Sequence, residues 1–161
     1  MDWAELSQCW VAGGDYGEHV TALGFDTASE LVYAGDSSGR LSTYSFNGEE
    51  LTQAAGFRSA LTPVRRIVAI GRERVFVQTD LSVSVHAAGG GQRPFSRATT
   101  PNDAFTAAAV AADSAFVCTS QGAGSQLSLA TGSVVRRVVV EPSAVAADFA
   151  GSELVLATAQ G

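Results

Sequence analysis

The side chains able to do chemistry are few in this sequence of 161 residues, and they are scattered. His19 and His86 lie far apart, as do Cys9 and Cys118, so no zinc-ligand spacing appears. The carboxylates stand singly except for Glu49-Glu50, whereas acid–base or metal work needs them gathered in one place. All ten basic residues are Arg. Without a lysine amine, neither a Walker-A phosphate loop nor Schiff-base chemistry is available. Gly89-Gly90-Gly91 and Gly122-Ala123-Gly124 are the glycine-rich stretches, but no helix follows either to supply the amides of a phosphate cradle. They are expected to be hairpin turns. No strand-to-helix nucleophile elbow supports a Ser-His-Asp constellation. Catalytic, metal and cofactor sites are therefore all expected to be absent from this chain.

Charge distribution carries more functional content. The net charge is −6, which argues against sequence-independent nucleic-acid binding by the whole chain. Residues 1–50 carry nine acids and one Arg, while residues 51–140 carry nine Arg and four acids. Arg58, Arg65, Arg66, Arg72, Arg74, Arg93 and Arg97 interleave with Phe57, Phe76 and Phe95. Arginine with aromatics can follow a nucleic-acid backbone and stack on its bases, so these seven are the candidate partner or RNA contacts. The competing reading is a solvated blade face that pairs with the acidic first segment. Asp26 and Asp36 stand at turn positions, where an Asp side chain accepts backbone N–H groups. Trp3 and Trp10 suit packing or anchoring of a partner, and both cysteines read as reduced and buried.

The elements that position these residues come from a repeat. TALGFDTASELVYAGDSSG from Thr21, RIVAIGRERVFVQTD from Arg66, TAAAVAADSAFVCTSQG from Thr106 and SAVAADFAGSELVLATAQG from Ser143 share one pattern. Each has a short apolar stretch, a turn, a β-rich run, then small residues. Aligning the runs places Tyr33, Phe76, Phe116 and Val155 in register, at separations of 43, 40 and 39 residues. Third strands follow at 41–46, 82–86 and 126–129, and fourth strands at 51–53, 133–140 and around 93–97. No window holds a helical period, and the Ala-rich run at 107–112 falls where a strand belongs. Four strands per roughly forty residues is the arithmetic of a β-propeller blade. The chain is expected to be all-β, an incomplete propeller of about three and a half blades. Residues 1–19 form an N-terminal strand segment, 20–62 blade one, 63–103 blade two, 104–142 blade three and 143–161 the first half of blade four.

A longer string is more specific. It runs Thr21-Ala22-Leu23, Phe25-Asp26, Glu30-Leu31, Gly35, Gly39-Arg40-Leu41-Ser42-Thr43-Tyr44, Glu50-Leu51, Phe57-Arg58, Pro63-Val64-Arg65 and Ser84-Val85-His86. Over residues 1–90 this order resembles the N-terminal WD-repeat propeller of the catalytic subunits of the poly(A)-binding-protein-dependent poly(A)-specific ribonuclease, the cytoplasmic deadenylase. The resemblance implies a non-catalytic scaffold serving poly(A)-tail shortening and mRNA decay, with the regulatory deadenylase subunit and poly(A)-binding protein on poly(A) RNA as partners. The magnesium-dependent exonuclease domain of such proteins is not in this sequence, so no cofactor is expected here.

The alternative reading is a free-standing WD-repeat-like interaction module unrelated to RNA decay. A small propeller enzyme or sugar binder is disfavoured by the dispersed acids and few aromatics. No segment approaches the roughly 20 apolar residues of a membrane span, and the N-terminus is acidic where a secretory signal is basic. A cytoplasmic location, including P-bodies by resemblance, with no membrane partner and no small-molecule substrate, is the expectation.

Overall fold

The computed structural model describes residues 19–47, 49–71, 74–90, 95–140, 144–150 and 153–159. The N-terminal strand segment expected within residues 1–19 lies, but for His19, outside the described residues, as do Trp3, Trp10, Cys9, Arg72 and Arg93.

Among the described residues, fourteen strands are arranged as successive antiparallel meanders. The first sheet contains β1 (Val20–Asp26), β2 (Leu31–Asp36), β3 (Arg40–Phe46) and β4 (Leu51–Arg58). The second contains β5 (Val64–Ile70), β6 (Arg74–Thr79), β7 (Ser82–Ala87) and β8 (Phe95–Ala98). The third contains β9 (Phe105–Ala111), β10 (Ser114–Thr119), β11 (Ala123–Ser128) and β12 (Val134–Val139). β13 (Ala144–Ala150) and β14 (Glu153–Thr158) pair alone. Among the described residues the fold is an all-β, unclosed propeller of three four-stranded blades and one strand pair.

The repeat extends to individual residues. Every first strand has seven residues, and every first pair carries a bulge at its opening: Val20/Ala22, Val64/Arg66, the Phe105–Ala107 end of β9, and Ala144/Ala146. A bulge twists and bends its strand, so one at a constant place gives each blade the same propeller twist. The residues aligned from sequence fall at one structural position. Tyr33, Phe76, Phe116 and Val155 face Gly24, Val68, Ala109 and Asp148, each the fifth residue of its first strand.

Three apolar clusters hold neighbouring blades together. Tyr33 and Leu41 of blade one meet Val64, Ile67, Val75 and Val77 of blade two. Phe76, Val83, Val85 and Phe95 of blade two meet Ala108, Val117 and Leu127 of blade three. Ala107, Ala109, Phe116 and Cys118 of blade three meet Ala144 and Ala147 of the strand pair. In the three four-stranded blades the second strands β2, β6 and β10 are buried along most of their length because both of their faces are covered, whereas β14 is open on one side and β12 is mostly exposed and carries Arg136 and Arg137. Small residues on the first and second strands let the sheets approach. A Cβ on Gly24 would stand 2.7 Å from Ile67 Cγ2, and one on Gly35 would overlap the Val64 side chain.

Several details differ from the sequence reading. β4 continues to Arg58 rather than ending near Gln53, because a bulge at Thr43/Tyr44 keeps it paired with β3 as far as Arg40 opposite Arg58. Gly122, at φ +79°, does lie in a turn. Gly124 instead lies within β11 opposite Cys118, where a Cβ would stand 2.7 Å from Phe116 Cζ. A 3-10 turn at Pro101–Asp103, unforeseen in the pattern, links blades two and three.

Candidate interaction surface

One end of the propeller gathers the blade-to-blade connections and the turns between second and third strands. The short polar side chains there are committed to the backbone. Asp36 Oδ1 accepts from the amides of Ser38 and Arg40 and from Ser38 Oγ. The Gly39 carbonyl then receives the Ser59 and Ala60 amides and Ser59 Oγ, which pins the β4–β5 connection to this turn. Thr79 Oγ1 accepts from the Leu81 and Ser82 amides, and Asp103 Oδ1 accepts from the Gln121 amide. Asp26, at the other end, accepts from the Ala28 amide and Ser29 Oγ. Asp26 and Asp36 thus have the turn role expected of them.

Gly35-Asp36-Ser37-Ser38-Gly39 also fits the Gly-x-Ser-x-Gly pattern, which the sequence reading passed over. It closes the β2–β3 hairpin, with Gly39 at φ +83° and Ser37 exchanging bonds with the His19 backbone. No helix follows to provide an oxyanion hole, so the geometry of a nucleophile elbow is missing. Ser84 Oγ and His86 Nε2 are 2.8 Å apart, but both side chains are buried in β7, with the Phe57 ring 5.1 Å from the imidazole. Cys118 is wholly buried, and burial pushes its thiol up to about 11, which keeps it protonated and unreactive. Among the described residues, no three of His, Cys, Asp and Glu form a group that could hold a metal.

Among the described residues, the candidate arginines Arg58, Arg65, Arg66, Arg74 and Arg97 do not form one row. Arg65 makes a two-pronged bond to Asp80, at 2.9 Å from both Nε and Nη2. The pairing holds its guanidinium above the usual range. Arg66 turns inward from β5 and donates Nη1 to the Ala147 carbonyl at 2.9 Å, with Asp148 3.9 Å away. It links blade two to the strand pair. Both described ion pairs thus join partners outside the acidic first blade, unlike the pairing anticipated from charge distribution. Arg74 begins β6 at the opposite end of blade two from Arg65, and Arg58 ends β4 opposite Arg40. Phe76 and Phe95 are buried in the junction with blade three, so neither ring has a free face for a base.

Arg97 has a different setting. It lies opposite Val83, a residue of the blade two–three junction, so its side chain is on the face of blade two that looks at blade three. Arg137 lies opposite Ser125, which pairs with the junction residue Val117, so it is on the facing side of blade three. Between them is a cleft of about 560 Å³ whose lining includes Thr99, Asp103, Phe105 and Thr119 as well as both arginines. Arg137 was not among the residues singled out from sequence. Its signal there, a polar pair inside the apolar run SVVRRVVV, reads only as an exposed strand.

No protein-family model and no curated protein sequence matches the chain. Solved structures do resemble it. The computationally designed Ika4 protein superposes with a TM-score of 0.77 at 20% identity, over 94% of this chain and 92% of that one. The WD40 domain of Neurospora crassa Pan2 gives 0.76 at 18% identity, over 92% of this chain and 46% of that one. The β-propeller domain of Myceliophteria thermophila Cps50 (Swd1) gives 0.74 at 12% identity, over 89% and 51%. The chain therefore spans about half the length of the two natural propellers. These likenesses concern fold alone, a WD-repeat-like β-propeller, of which the described residues of this chain make three blades and a strand pair.

Proposed function

We propose that the chain is a non-catalytic interaction scaffold, the propeller portion of a poly(A)-specific 3′-exoribonuclease that shortens mRNA tails. The observation that carries this reading is where the deadenylase-like residues meet. Leu41 and Val64 pack together in the junction of blades one and two, with Phe57 against it. Phe57 also meets His86, and Thr43 Oγ1 donates to the Ala88 carbonyl across the same junction at 3.0 Å. Five of the resembling residues, Leu41, Thr43, Phe57, Val64 and His86, thus converge on one blade-to-blade junction. The likeness to the Pan2 WD40 domain supports the same reading.

In this role the propeller supplies surface and no bond-making group. Its partners are the regulatory deadenylase subunit and poly(A)-binding protein on poly(A) RNA, in the cytoplasm and P-bodies. The magnesium chemistry belongs to the nuclease domain of such proteins. Co-purification from cells carrying the tagged chain tests the reading, with those two partners expected. Recovery of chromatin or signalling complexes without them overturns it. The comparable likeness to Cps50 favours, as a second reading, an interaction module unrelated to RNA decay, and that same outcome would support it.

A further inference from the structure

The cleft between blades two and three has a chemistry of its own. Arg97 and Arg137 face one another across it from the outer strands β8 and β12. Among the described residues neither forms an ion pair. Asp103 is the one carboxylate among the described lining residues, and its Oδ1 is already occupied by the Gln121 amide. Two like charges held opposite each other, with a single carboxylate among the described lining residues, leave the cleft short of negative charge. Beside Arg137, on the same side of β12, Val139 is 95% exposed at the cleft's lip. Thr99, Thr119 and Ser125 add hydroxyls to the lining, over the apolar Phe105 and Val117.

We propose that this cleft binds a short acidic peptide in which carboxylates alternate with apolar side chains. The carboxylates pair with Arg97 and Arg137, whose planar forks suit two-pronged recognition. An apolar side chain covers Val139, which is otherwise in water. A volume of about 560 Å³ lies within the range of small-ligand pockets and holds a few side chains, not a folded partner. A nucleic acid fits less well. Phe105 is buried beneath the cleft, so no aromatic face is offered to a base, and a tracked backbone needs more than two cations. The proposal rests on the chain being an interaction scaffold and does not depend on the deadenylase assignment.

Fluorescence anisotropy with a labelled peptide of alternating Glu and Leu tests it, with the Gln–Leu peptide and oligo(A) RNA as controls. Binding of the Glu–Leu peptide alone, weakening with added salt, is expected. Arg97→Gln and Arg137→Gln should each weaken it roughly three- to tenfold, and Arg74→Gln, at the other end of blade two, should leave it unchanged. Arg97→Glu/Arg137→Glu should lose that peptide and gain a Lys–Leu one, a result that misfolding does not produce. Equal binding of the Gln–Leu peptide, insensitivity to both arginine changes, or oligo(A) bound through them in place of peptide overturns the proposal. A peptide-binding chain that fails to capture deadenylase partners leaves the cleft intact and sinks only the cellular role.

Discussion

Phe116 and Val155 occupy the same position in successive blades, opposite Ala109 and Asp148, yet Phe116 is 6% exposed and Val155 52%. Phe116 looks toward the strand pair and is covered by it. Val155 looks the same way around the ring and meets solvent. At the other end of the molecule the backward face of β1 presents Leu23 and Phe25, the latter 46% exposed. A closed propeller covers both faces, and an open one leaves them available for association.

The 161-residue chain is expected to self-associate through these faces. Its sedimentation coefficient should rise with concentration. Val155→Glu and Phe25→Glu should reduce that rise at little cost in melting midpoint, since each side chain is already about half exposed. Concentration-independent monomers would show that the exposed faces do not drive association.

Close blade packing gives a second prediction. Gly35→Ala places a methyl against Val64, a β-branched and fully buried residue that cannot turn aside. Overpacking of this kind costs about 1–3 kcal/mol. A urea titration should show the midpoint falling with the slope unchanged. Gly71→Ala is a different case: nothing lies within 4 Å of its added Cβ, so only its positive φ opposes the change.

Arg66 is expected to hold the strand pair against blade two. Arg66→Ala removes the bond to the Ala147 carbonyl, worth about 1–2 kcal/mol. Hydrogen exchange should quicken across residues 144–158 and remain slow in β6 and β10. Uniform acceleration throughout the chain would instead identify Arg66 as a support of global stability.

Cys118 supplies a pH dependence. The folded chain keeps the thiol proton to about 11, whereas the ordinary value is 9.0. Between these values the unfolded chain binds fewer protons, so stability falls as pH rises through the window. Urea midpoints from pH 8 upward should decline more steeply in the parent chain than in Cys118→Ala. With Cys9 replaced by Ser, a thiol reagent at pH 8 should label Cys118 only as the chain unfolds. Rapid labelling of the folded chain would contradict its burial.

Blade identity was legible in the sequence because the spacing of β-rich runs reflects backbone geometry, which repeats wherever the sheet does. Tyr33, Phe76, Phe116 and Val155 could be aligned from that spacing alone, and the turn roles of Asp26 and Asp36 followed from their side-chain length. The Ala-rich stretch could be assigned to a strand by its place in the repeat. Burial explains its composition: Ala107, Ala108 and Ala109 are all enclosed between neighbouring sheets.

What the sequence could not determine was how residues on different blades face one another. Of the arginines grouped along the chain, the five described ones become separate side chains once a strand assigns neighbours to opposite faces. Arg65 bonds Asp80, Arg66 reaches 81 residues along the chain to Ala147, and Arg97 faces Arg137 across a cleft. These relations depend on sheet register, bulges and the stacking of one blade on the next. Local propensity and spacing specify the blade; long-range packing decides which charges meet and which are left for a partner.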